Sequence, residues 1–192
     1  MSPAVVRDLP GEKDRAAADA RMREMLSSPD PGPVAARIAL LHFTGRRSGH
    51  TYSVPAGVHA LGDALVVATG SGWRHNFAGG AEGALTWRGE RRPVRFALVA
   101  DAERTARGYL ELYRRYGEAA PRRLGIAVHG DGTPGLGEFQ EAVARQGLSL
   151  VEIVHLPAPH DGPAPDNAHA PDTSHAPDTS HASDAANERT PR

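Results

Sequence analysis

Between residues 36 and 100 the chain is a succession of short apolar or alternating runs, joined by brief turns and one Gly-rich loop. Ala36 to Thr44 (ARIALLHFT) is apolar and predicts a buried strand. His50 to Ala60 alternates, placing Tyr52, Val54, Ala56 and Val58 on one face of a second strand. Gly62-Asp63 is a tight-turn pair leading into a third strand, Ala64 to Thr69 (ALVVAT). A further hairpin is predicted from Ala84 to Arg88 and Arg92 to Ala100, around Gly89-Glu90. Parallel neighbours would need helical crossovers, whereas most of these runs follow one another as hairpins. The body is therefore expected to be built from consecutive antiparallel strands, not from a doubly wound sheet.

Helices bracket this region. Glu12 to Ser27 sets Met22, Met25 and Leu26 three and four apart, on one helical face. Ala102 to Tyr116 has Asp101 as N-cap, Gly117 as its end, and Tyr109, Leu110 and Tyr113 as an apolar face. Leu136 to Gln146 lies between Thr133-Pro134 and Gly147, and Leu148 to Leu156 (LSLVEIVHL) alternates as a closing strand. The expected fold class is α+β: a small antiparallel barrel of about six strands with flanking helices. Three regions are expected: a helical segment over 1–35, the barrel over 36–156, and a tail over 157–192. The tail contains a near-repeat, APDNAH-APDTSH-APDTSH, and no large aliphatic or aromatic residue. Such a composition cannot bury enough apolar surface to offset its ordering entropy, so disorder is expected there. His169, His175 and His181 in that repeat lack the spacing of a rigid metal site.

The chain has no Cys, which excludes disulfides, thiolate nucleophiles and cysteine-ligated metals. The opening MSPAVVRDLPGEKDR has no apolar run behind a basic start, and no stretch approaches the ~20 apolar residues of a membrane span. A cytoplasmic location is expected, with peripheral contact to a membrane left open. The formal net charge is −1, with the tail carrying −4 and the rest +3. A mildly basic body suits an anionic small molecule and is too weak a charge to argue for nucleic acid. Monomer and homodimer both remain open.

Two loops carry the residues with chemical potential. Thr44 to Gly49 (TGRRSG) sets two arginines and a serine between glycines. Successive amides in such a turn can cradle an anion, and Arg46 and Arg47 add charge-assisted donors suited to phosphate. The same turn can equally be an exposed basic hairpin. It lacks the spacing of a P-loop. In Thr69 to Phe77 (TGSGWRHNF), Trp73 can stack on a flat ring while His75 and Asn76 bond its edge. Trp73 and Phe77 can equally plug a barrel end. His42, His59, His75, His129 and His155 show no zinc-ligand spacing. Ser48 and Ser71 sit in no nucleophile elbow. The basic run Arg88 to Arg95 reads as the solvated face of a strand.

Taken together, TGRRSG at 44–49, SVPAGVH at 53–59, LGDALVVAT at 61–69 and WRHNF at 73–77 resemble the deazaflavin (coenzyme F420)-dependent nitroreductase family, within the split β-barrel, FMN-binding-like superfamily. The resemblance covers roughly residues 36 to 156. It implies a split barrel with a deazaflavin in a groove along it, FMN being the alternative cofactor. It implies that Thr44, Gly45, Arg46, Arg47, Ser48 and Gly49 hold the phosphate-bearing tail. Val54 and Pro55 would back the ring, with Trp73 and Asn76 beside it. Tyr52 stands where the family often has Arg. The implied activity is hydride transfer to a small electron acceptor such as a quinone, nitro compound or enone, with Trp73 and Asn76 at the reacting end; the loop sequence adds His75 as a candidate catalytic residue there. A non-catalytic carrier of a flavin, deazaflavin or apolar metabolite is the other reading.

Overall fold

A computed structural model describes residues 3–8 and 11–156 of the 192-residue chain. The expected tail over 157–192 lies outside the described residues. Nine strands and four α-helices are present among the described residues: β1 (Ala4–Arg7), α1 (Glu12–Leu26), β2 (Ile38–Thr44), β3 (Thr51–Gly57), β4 (His59–Leu61), β5 (Ala64–Thr69), β6 (Ala81–Trp87), β7 (Glu90–Leu98), α2 (Ala102–Tyr116), α3 (Ala120–Leu124), β8 (Ile126–His129), α4 (Leu136–Gln146) and β9 (Ser149–His155).

Seven strands form one wholly antiparallel sheet in the order β3-β2-β6-β7-β9-β5-β4. β3 and β4 are neighbours in the chain yet occupy opposite edges of that sheet. The strand expected over 50–60 breaks at Val58, whose amide donates to the Arg37 carbonyl (2.9 Å). The break carries the chain from one edge to the other, so the sheet must curl until its edges meet. This gives the α+β half-barrel, with seven strands in the sheet where about six were expected. A barrel-like closure leaves few strand edges open to pairing with other chains.

Alternation along the strands divides the apolar residues between two faces. Leu41, Val67, Leu85, Val94, Phe96, Val151 and Ile153 fill the barrel interior with Phe43 and Phe77. Their sequence neighbours Leu40, Val66 and Leu150 point the other way. Leu40 meets Leu26 of α1, and Val66 and Leu150 meet Tyr109 and Leu112 of α2 and Phe139 of α4. Strands buried on both faces read as continuous apolar runs, which is why IALLHFT and ALVVAT carry so few polar residues.

Both long C-terminal helices follow their sequence signals. Asp101 Oδ1 accepts from the Arg104 amide (3.1 Å) at the start of α2, and Gly147 ends α4 at φ +68°. The second hairpin is longer than expected and turns at Arg88-Gly89, not at Gly89-Glu90. Three elements went unread in the sequence. β1 pairs with β8 across more than a hundred residues, and α3 precedes β8. The stretch before residue 36 therefore includes a strand as well as a helix.

Candidate functional site

At one end of the half-barrel the β2–β3 turn faces the segment between β5 and β6. The turn is self-bonded: the Gly45 amide donates to the His50 carbonyl and the Gly49 amide to the Gly45 carbonyl, both at 2.8 Å. Ser48 Oγ accepts from the His50 amide (3.2 Å) and lies 3.2 Å from the Tyr52 hydroxyl. A Cβ on Gly45 would come within 2.6 Å of Ser48 Oγ and 2.7 Å of the Tyr52 ring, so only glycine fits there without displacing its neighbours.

Across from it, Gly72–Phe77 forms a 3-10 turn carrying Trp73, His75 and Asn76. Asn76 joins the two loops. Its Oδ1 accepts from the Arg46 amide (3.0 Å), and its Nδ2 donates to the Trp73 carbonyl (2.8 Å). The Arg46 guanidinium adds a bond to the Ala78 carbonyl (3.1 Å). Arg7 of β1 and Arg74 both donate to the Gly70 carbonyl (2.8 and 2.9 Å), clamping the start of this segment. Burial, then the nearby Arg7 charge, lowers the pKa of Arg74 from its ordinary value.

Between the loops lies an open groove of about 790 Å³, lined by residues 45–48, Tyr52, Gly72, Trp73, His75, Asn76 and Ala78. Its walls carry Arg46, Arg47 and His75 and no carboxylate. No hydrogen bond or ion pair ties the Arg47 guanidinium, or the amides of Arg47 and Ser48, to a described residue. The floor is aromatic. Tyr52 stacks on Phe43 (centroids 5.6 Å), Trp73 packs near Phe43 and edge-on to Phe77, and Phe77 continues to Phe96 inside the barrel. This donor set fits a ligand with an anionic arm and a flat ring.

The structure brings Gly45, Arg46, Arg47, Ser48, Tyr52, Trp73, His75 and Asn76 to one groove. It sets others apart from the lining. Thr44 ends β2 opposite Thr51, and Gly49 closes the turn at φ +67°. Val54 packs on the barrel interior. Pro55 sits opposite Leu40, on the outer face. Sequence reasoning missed Arg7 and Arg74, because a clamp between residues 63 positions apart leaves no local pattern.

Two histidines outside the groove, His42 and His59, are held by hydroxyls. His42 lies 2.8 Å from both Ser53 Oγ and Thr86 Oγ1, and burial, with Arg91, lowers its pKa. His59 lies 3.0 Å from the Tyr116 hydroxyl through Nδ1, and its Nε2 is buried without a partner. No group of three potential metal ligands occurs among the described residues. None of their helices is long and apolar enough to cross a membrane.

No family model matches the chain, and no curated protein matches it. Solved structures give low-identity likenesses. A candidate 5-nitroimidazole antibiotic resistance protein from Bacteroides thetaiotaomicron VPI-5482 is similar at 8% identity and a TM-score of 0.35, over 81% of this chain and 85% of that one. ChuZ of Campylobacter jejuni is similar at 11% identity and 0.35, over 73% of this chain and 53% of its own. The FAD and heme binding protein from Mycobacterium smegmatis is similar at 19% identity and 0.31, over 82% and 91%. Likenesses at this level bear on no residue of the groove.

Proposed function

We propose that the protein is an oxidoreductase that uses reduced coenzyme F420 to transfer a hydride to a small organic acceptor, such as a quinone, nitro compound or enone. The observation that carries the reading is the Arg46–Asn76 bond, which closes TGRRSG and WRHN around one basic, aromatic-floored groove. A deazaflavin supplies the hydride from its ring carbon when bound. The chain's own residues bind and orient the cofactor and the acceptor.

Arg47 and the free amides of Arg47 and Ser48 would take the anionic tail. Arg46 is partly committed to Ala78, so Arg47 is the more available charge. Trp73, half-buried and braced by Phe43 and Phe77, offers an aromatic surface to a flat ring. Asn76 has spent its carbonyl and one N–H on the two loops, which makes it mainly a positioning residue. Exposed His75 and the remaining Asn76 N–H are left to meet negative charge developing on an acceptor. Hydride transfer of this kind requires no protein nucleophile.

The test is a titration with F420 and, in parallel, FMN, followed by turnover with quinone and nitro acceptors. Tight F420 binding with acceptor reduction supports the reading. Binding without turnover would make the protein a carrier, and preference for FMN would replace the cofactor.

A further inference from the structure

The opposite end of the half-barrel carries a second opening that the proposed reaction does not use. There the β6–β7 hairpin meets the end of β9, leaving a cavity of about 360 Å³ lined by Leu85, Trp87, Arg88, Glu90, Arg92 and His155. Register places Leu85 opposite Arg92 and Trp87 opposite Glu90. His155 pairs with Val94, which is buried inside the barrel. Charged groups thus stand on the inward face of the strands at the barrel mouth, where side chains are ordinarily apolar.

Three observations meet here. The indole Nε1 of Trp87 is buried and has no hydrogen-bond partner among the described residues. A buried donor left unmade is costly, so such atoms call for an explanation. Arg88 has a φ of +53°, the single non-glycine residue with positive φ among the described residues. With Gly89 at +80° it makes a hairpin turn in which Asn, Asp or Gly is the ordinary first residue. The unusual choice sets the Arg88 guanidinium 4.4 Å from the centre of the Trp87 ring. Finally, the mouth has an unbalanced charge. Glu90 is paired with Arg92, while Arg88 pairs with no carboxylate among the described residues.

We propose that this mouth binds a small organic carboxylate, with Arg88 and the Trp87 N–H as its donors and Leu85 and the indole body against its apolar part. Arg88 leaves the face of the ring to reach the ligand, and the movement opens the indole N–H to it. The volume suits a molecule the size of an aryl carboxylate. The site is independent of the groove at the other end, and holds whether or not that groove takes F420.

The chain has two tryptophans, one at each end of the barrel, so each end can be read alone. The experiment uses full-length Trp73→Phe, in which Trp87 is the sole indole, titrated with sodium benzoate at fixed ionic strength. Indole emission and the indole N–H cross-peak are followed by fluorescence and NMR. The expected result is a saturable emission change, a downfield shift of the indole proton, and affinity about tenfold weaker when Arg88→Asn is added. Asn suits the turn, so that variant keeps the hairpin. No saturable change, an unmoved indole proton, an equal response to neutral benzyl alcohol, or unchanged affinity in Arg88→Asn overturns the proposal.

Discussion

At the scale of single residues, the groove depends on side chains whose energies can be separated. Arg47 makes no hydrogen bond or ion pair with a described residue, so Arg47→Ala is expected to leave the melting temperature unchanged. It should weaken F420 binding about ten- to a hundredfold, the loss of a charge-assisted contact. Gly45→Ala is expected to do both kinds of damage. Its new methyl meets Ser48 and Tyr52, with a cost of about 1–3 kcal/mol in urea unfolding and a displaced groove wall. His59 gives the fold a pH dependence. It is 3% exposed, and burial, then the Arg123 and Arg115 charges, brings its pKa down to about 4 from the ordinary 6.5. The unfolded chain therefore binds the proton more readily than the folded one. Stability from this residue is full above pH 6.5 and falls as pH drops toward 4. Urea unfolding should show about 2 kcal/mol less stability at pH 5 than at pH 7, and His42 titrates in the same sense. His59→Gln should flatten that slope, and an equally steep slope in the variant would place the effect elsewhere.

At the scale of elements, β6 runs so close to β2 that a side chain cannot stand between them. A Cβ on Gly83 would lie 2.3 Å from the His42 carbonyl and 2.8 Å from the Phe96 ring. The carbonyl belongs to a strand buried on both faces and cannot move aside. Gly83→Ala is therefore expected to cost about 3 kcal/mol or more, read as a large fall in melting temperature. Elements of this kind were legible in the sequence where local chemistry specified them. β2, β5, α2 and α4 lie within one or two residues of their expected bounds, because apolar runs, Asp101 and Gly147 mark them. β1 and β8 were not legible. Each is four residues long, and each finds its partner only across the fold. The break at Val58 was equally hidden, since alternation continues through it while the hydrogen bonds change edge.

At the scale of the whole molecule, curling one sheet creates two mouths and puts a different tryptophan at each. The two loop motifs were visible as separate stretches, but not the Arg46–Asn76 bond between them, because a contact across 30 residues has no signature in either stretch. The choice between an exposed basic turn and a ligand cradle was for the same reason undecided by sequence. We propose that the domain ends near residue 156, where the Leu156 amide donates to the Pro93 carbonyl (3.2 Å). Removing residues 157–192 should then leave the melting temperature within a degree or two, as scanning calorimetry can check.

The proposed function turns on whether the groove between the β2–β3 turn and the Trp73 segment takes F420. It is tested most directly by titrating the protein with F420 and following emission from Trp87→Phe, in which Trp73 is the sole indole. Saturable quenching with micromolar affinity, weakened by Arg47→Ala, is the expected result. Absence of saturable quenching by F420, or tighter binding of FMN in the same groove, would contradict it.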